Sequence, residues 1–137
     1  MKQVPLSRRP VKWRPPRNTG PDPATRALVL ARDGWRCVCC GRSVIGQQYS
    51  LQHRKRRSHG GTNSPVNLIT VLGSGITGCH WRIDSRADPA DELNGYTVRS
   101  GQDPALVPVR VFGARVWARP DGTWAHEPPP PPGEEAA

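Results

Sequence analysis

The decisive stretch runs Tyr49-Ser50-Leu51-Gln52-His53-Arg54-Lys55-Arg56-Arg57-Ser58-His59-Gly60-Gly61-Thr62-Asn63-Ser64-Pro65-Val66-Asn67-Leu68. Tyr49 to His53 reads as a short strand, and Ser58 to Pro65 is a loop on turn chemistry alone. Ser64-Pro65 then predicts a short helix over Val66 to Thr70, because serine caps a helix start and proline suits its first position. His53 therefore closes a strand at the mouth of a loop. An imidazole titrates near neutral pH and can take a proton from water there.

Upstream, Asp22-Pro23 predicts a helix start by the same rule, with Ala24, Ala27, Leu28, Leu30 and Ala31 as its apolar stripe and Asp33-Gly34 as its end. Cys37-Val38-Cys39-Cys40-Gly41 is a tight turn that either holds a metal or closes a hairpin. Downstream, Gly73-Ser74-Gly75 is a break, and Thr77 to Ser85 reads as a helix carrying Cys79-His80. After Pro89 the style changes. Tyr96 to Val98, Val107 to Phe112 and Arg115 to Ala118 read as short strands, with Gly113-Ala114 as a hairpin turn and Asp121-Gly122 as another turn. The chain divides into a basic proline-rich arm (1–22), a central domain (23–90), a β-rich extension (91–125) and a proline-rich tail (126–137). The large aromatic area of Trp35, Trp117 and Trp124 is expected in the core.

Composition narrows the function. Lysine and arginine number 20 against 11 acids in 137 residues, a net charge of +9. Arginine pairs bidentately with phosphate, so this balance points to a nucleic acid. The hydrophobic fraction is only 35%, and Gly and Pro contribute 14 and 16 residues. A small core with loose ends is expected, and a metal cross-link would help it. The longest wholly apolar run, Ala27 to Ala31, is far short of the roughly 20 residues of a membrane span. The basic opening, Met1 to Arg17, is not followed by an apolar stretch, so no signal peptide is expected. The expected location is intracellular: cytoplasmic, or the host cytoplasm if phage-encoded. In that setting the four cysteines are expected as metal ligands or thiols, not disulfides.

His53-Arg54, Gly60-Gly61, Asn63-Ser64-Pro65-Val66-Asn67-Leu68 and Gly78-Cys79-His80 stand in an order and spacing that resembles the HNH endonuclease family, most closely its phage and actinobacterial branch. The resemblance spans about residues 24–88. It implies an α+β fold with a small ββα-metal (His-Me finger) core, a preceding helix and a C-terminal β-hairpin appendix. It implies DNA as substrate, with His53 as general base and His80 as ligand of one divalent metal (Mg, Mn or Ni). It also implies that Asn67 braces the loop that holds the base. Arg54, Lys55, Arg56 and Arg57 would grip phosphates. The phage branch further implies a role beside terminase subunits in DNA packaging, or one in mobility or restriction.

Two positions depart from the family pattern. Gln52 stands where many members place Asp or His as a second metal ligand. Its neutral carbonyl is a weaker ligand for a hard cation, and Gln52, His59 or Asp84 would complete the sphere, with waters. Family members also often bind a structural zinc through two cysteine pairs. Cys37 and Cys40 supply one pair and Cys79 half of the other, while Leu72 occupies the position of its mate. The fourth ligand is left open to Cys39, a histidine or another group. These departures favour the alternative reading, a non-catalytic zinc-finger-like nucleic-acid-binding module derived from the same fold. A basic structural protein of a nucleoprotein particle is a third reading, resting on charge and the proline-rich ends.

Overall fold

A computed structural model describes residues 12–14 and 20–131; the remainder of the expected arm and tail lies outside the described residues. The elements are α1 (Pro23–Arg32), β1 (Tyr49–His53), β2 (Leu68–Leu72), α2 (Gly78–Asp84), α3 (Ala90–Leu93), β3 (Val109–Val111), β4 (Ala114–Ala118) and β5 (Trp124–Ala125). Short 3-10 turns at Arg57–His59, Pro65–Asn67 and Pro104–Leu106 link them. The fold is α+β with two antiparallel sheets, β1-β2 and β3-β4-β5. No helix among the described residues is long and apolar enough to cross a membrane.

α1 starts where its sequence signals place it. The Asp22 carboxylate accepts the Thr25 N–H at 2.7 Å, and Pro23 fills a position whose N–H would have no partner. Asp33 and the left-handed Gly34 (φ 64°) end it. The buried face is Val29 and Leu30, whereas Leu28 is 45% exposed. The expected stripe is thus narrower, because α1 rests on the edge of β2 and not on a broad core.

The helix expected over Val66 to Thr70 is not there. Ser64 does accept the Val66 N–H at 3.3 Å, but the turn it caps lasts only through Asn67, and Leu68–Leu72 is a strand. Ile69, Thr70 and Val71 are β-branched and favour a pleated backbone. Both faces of β2 are buried, so the two-residue alternation that marks a strand is missing from its sequence. β2 pairs with β1 in the register Tyr49↔Leu72, Leu51↔Thr70, His53↔Leu68. The helix expected over Thr77 to Ser85 is present as α2, with those two residues as its caps.

The C-terminal extension forms its hairpin one residue earlier than expected. Phe112 and Gly113 take the turn, with φ 48° and 82°, the paired left-handed conformation of a tight two-residue connection. Tyr96–Val98 forms no strand; Val98 makes a single parallel bridge to Lys55. α3 has no sequence forecast. Trp35 is 41% exposed and makes an edge contact with Tyr49, while half-buried Trp124 lies 4.0 Å over the Arg32 guanidinium. The expected break at residue 90 does not divide the core. Cys37, Val38, Val44, Ile69, Val71 and Ile83 pack in one cluster with Tyr96, Val109, Val111 and Val116.

Two buried arginines tie these pieces together. Arg32 pairs with Asp33 at 2.8 Å and donates to the carbonyls of Pro65 and Leu68, while Asp33 accepts the Thr70 N–H at 2.9 Å. That set fastens α1 to β2. Arg54 is fully buried and donates to Gly95 O (2.7 Å), Val66 O (2.9 Å), Pro104 O (3.1 Å) and Val107 O (2.6 Å). Burial, then the nearby charge of Arg32, pushes its guanidinium down to about 9, so it remains charged at neutral pH.

Replacing Arg54 with alanine would orphan four buried carbonyls, and the expected loss of unfolding free energy is about 3–5 kcal/mol. Arg54→Lys is expected to recover only part of it, because an ammonium cannot fork to four acceptors. Urea unfolding at unchanged slope measures both. A loss in Arg54→Ala below about 1 kcal/mol would contradict this role.

Candidate functional site

β1 and β2 present between them the loop 54–67, and Asn67 holds its two ends together. The Asn67 carbonyl oxygen accepts the Lys55 N–H at 2.8 Å, and its amide donates to Lys55 O at 3.0 Å and Thr62 O at 2.9 Å. The side chain is 1% exposed, so these bonds form out of competition with water. The two glycines of the loop have different duties. Gly60 closes the turn in a left-handed conformation (φ 89°). Gly61 runs so close to the strand end that a Cβ there would sit 1.8 Å from Lys55 O, and its N–H donates to Arg56 O at 2.9 Å.

His53 stands at the end of β1, half-buried, with Nε2 2.7 Å from the Asn63 amide oxygen. An amide oxygen can only accept, so Nε2 is the donor of this bond, and in the neutral imidazole Nδ1 is then the nitrogen that carries the lone pair. Asn63 lies in the stretch that carries the resemblance, yet no sequence signal assigns it a role. Its neighbours Ser64 and Asn67 have recognisable cap and clamp patterns, and nothing local says that residue 63 faces residue 53. Gln52, beside the base, is buried and donates to His53 O at 3.3 Å.

His80 lies in the first turn of α2, which packs against both β1 and β2. Its Nδ1 is buried and has no hydrogen-bond partner among the described residues. A buried imidazole nitrogen without a partner costs free energy unless something such as a metal ion fills it, so this atom fits a ligand role. Asp84, the last residue of α2, and His59, in the loop, are both exposed. His53 and His80 do not gather a third acidic, histidine or cysteine ligand among the described residues.

The basic run splits. Arg54 is turned inward to the carbonyls described above, so it is not a phosphate ligand; a guanidinium with no exposed surface cannot reach DNA. Lys55 donates to Gln102 O at 3.0 Å and Arg56 to Asp84 O at 2.9 Å, both partly exposed, and Arg57 is exposed. Arg86 joins them from the end of α2. Its guanidinium is pushed down by partial burial and then by the nearby charge of Arg56. The sequence leaves Arg86 out because it lies far along the chain from the basic run.

The second candidate centre is the cysteine turn. The Sγ atoms of Cys37, Cys40 and Cys79 lie within 4.8 Å of one another, bringing the turn before β1 against the first turn of α2. They form a possible metal-binding site. Gly41 (φ 76°) closes the turn, its N–H donating to Cys37 O at 2.8 Å. The Cys37 sulfur is held down to about 4, first by the Cys39 thiol and then by backbone N–H groups of Leu72, Cys40 and Cys39, against the opposing effect of burial. Amides aimed at one sulfur favour thiolate, the form that binds metal. Cys79 is also lowered, to about 7, mainly by Cys39.

Comparison of the chain with family models, curated proteins and solved structures returns no match.

The two loop glycines should respond unequally to alanine. Gly60→Ala meets no atom within 4 Å and carries only the left-handed strain, about 1–2 kcal/mol. Gly61→Ala must displace the Lys55 carbonyl and is expected to cost more and to raise amide exchange across residues 55–62. Equal thermal shifts in the two variants would contradict the close approach.

Proposed function

We propose that this protein is a metal-dependent endonuclease of the HNH type that hydrolyses phosphodiester bonds of DNA. The observation that carries the reading is His53 at the end of β1, with Nε2–H engaged by Asn63 and Nδ1 left to accept a proton. The β–β–α order of β1, β2 and α2 and the Asn67 clamp support it. In this reading His53 Nδ1 takes the proton of the attacking water, and the Asn63 oxygen stabilises the imidazolium that results. Asn67 keeps the loop behind His53 in place. His80 Nδ1 would hold one divalent ion (Mg, Mn or Ni), with Gln52 the neighbouring neutral donor. Such an ion neutralises charge on the scissile phosphate and the leaving oxygen. Lys55, Arg56, Arg57 and Arg86 form the phosphate-facing surface, and the net charge of +9 favours a polyanion. The resemblance to phage members makes terminase subunits in DNA packaging the partners to test.

The cysteine cluster belongs to the same proposal as a structural zinc site that joins the turn at 37–40 to α2. A second reading, a zinc-finger-like DNA-binding module without catalysis, is favoured by the lack of a carboxylate gathered beside His80 among the described residues.

A supercoiled-plasmid assay with Mg, Mn or Ni separates the two. His53→Ala is expected to lower cleavage by about 10²-fold or more while DNA binding persists, and His80→Ala to remove metal-dependent cleavage. Asn67→Ala is expected to lose activity with less effect on metal binding. Binding without cleavage in all three metals overturns the nuclease reading in favour of the binding module. Independently, Arg57→Ala should flatten the log–log salt dependence of DNA binding by about one unit, and an unchanged slope argues against a phosphate contact.

A further inference from the structure

The tip of the β3–β4 hairpin is built against its own stability. Phe112 and Gly113 make the turn. The first position of such a turn favours asparagine, aspartate or glycine, and a bulky side chain at φ 48° is strained there. The ring is not rewarded with burial, since Phe112 is 52% exposed. Behind the tip, Arg110 and Arg115 stand directly opposite each other on the exposed face of the hairpin. Like charges in that position repel, and neither guanidinium forms an ion pair among the described residues. A strained aromatic and an unrelieved pair of cations at one tip point to a ligand that supplies what both lack.

The neighbours narrow its chemistry. Arg36, just before the cysteine turn, places its guanidinium carbon 5.6 Å from the Phe112 ring centroid. Phe112 and Arg110 also line a cleft of about 430 Å³, together with Asn94 and Asp88. That volume suits a small planar ligand, and the Asn94 amide offers it both a donor and an acceptor. Of the acids lining the cleft, Asp91 is engaged by Arg82 at 3.1 Å, and Asp88 accepts the Ala90 N–H at 2.9 Å. The unpaired positive charge is therefore at the rim, on Arg110 and Arg115, with Arg36 beside the ring. An exposed aromatic face next to such cations fits a nucleobase with its phosphates. The base must be unpaired, because a duplex keeps its base faces stacked inside. We propose that the β3–β4 hairpin is a second DNA contact, in which Phe112 stacks on an unpaired base of single-stranded DNA while Arg36, Arg110 and Arg115 hold the adjoining phosphates.

This contact goes beyond the nuclease reading. It shares no residue with the His53 site or with the surface of Lys55, Arg56, Arg57 and Arg86, and binding at the hairpin requires no catalysis. Its failure would leave the chemistry at His53 untouched.

The test is binding by the full chain, without added Mg, Mn or Ni, to a mixed-sequence DNA single strand, to its duplex, and to an RNA single strand of the same sequence. Phe112→Asn is expected to weaken single-stranded DNA binding about 10-fold and to leave duplex binding unchanged. Its thermal midpoint is expected to stay at or above that of wild type, because asparagine suits the turn. Phe112→Trp is expected to keep the single-strand affinity, and Phe112→Leu, with apolar bulk but no ring, to lose it. Arg115→Ala is expected to flatten the log–log salt dependence on the single strand by about 0.7 units. Wild-type affinity for the single strand in Phe112→Asn or Phe112→Leu overturns the stacking contact. Equal losses on single strand and duplex overturn it too, since a duplex offers only phosphates there. A Phe112-dependent preference of the wild type for the RNA strand overturns the assignment to DNA.

Discussion

The Arg54 guanidinium is the point through which the rest of the structure is connected. A charge this deeply buried is tolerated only when its donors are used. Four of its N–H bonds are used, and their acceptors come from three separate places: Val66 ahead of β2, Gly95 after α3, and Pro104 and Val107 ahead of β3. Its backbone adds two more ties, the N–H to Asn67 O at 2.8 Å and the C=O to Val98 N at 2.9 Å. The C-terminal extension is therefore the wall of the cavity that Arg54 fills. Extended backbone sends successive side chains to opposite sides. With Arg54 turned inward, His53 and Lys55 on either side are turned towards the loop and the surface. The orientation of the candidate base thus follows from the burial of its neighbour.

Much of the local structure was legible because it is written in nearest-neighbour chemistry. Asp22-Pro23, Asp33-Gly34, Thr77 and Ser85 mark helix ends by caps and backbone angles that depend on a few adjacent residues. The order of His53, Gly60-Gly61, Asn67 and Cys79-His80 was equally visible. What failed was whatever depends on distant partners. Leu68–Leu72 looked like a continuation of a capped turn because its burial on both faces erased the alternation. Arg54 looked like its three basic followers because nothing within the run tells a buried guanidinium from an exposed one. Its acceptors are backbone carbonyls 12 to 53 positions away. The pairing of Asn63 with His53 is a ten-residue contact across a loop, and sequence alone does not show where that loop folds back.

A core this small needs polar ties to hold its register. β2 illustrates how they work. On one edge it hydrogen-bonds with β1. On another, Asp33 takes the Thr70 N–H while Arg32 takes the Leu68 carbonyl. Those charges are buried with each other and capped by Trp124 from the extension. The apolar groups alone, mostly valines, would not distinguish one register of this short strand from the next, since a two-residue slip preserves which face is buried. The directional bonds to Asp33, Arg32 and Arg54 select a single one.

Cys79 and His80 bring the two candidate centres together. They are consecutive residues on α2, so their side chains leave the helix about 100° apart. Cys79 points to the sulfur cluster, and His80 places its Nδ1 in a buried position without a hydrogen-bond partner among the described residues. A short helix of two turns has little intrinsic stability of its own, and its rotation about its axis must come from tertiary contacts. A metal bound through Cys79 would fix that rotation at the residue next to His80. The cysteine turn would then determine the direction of the imidazole even though no sulfur touches it.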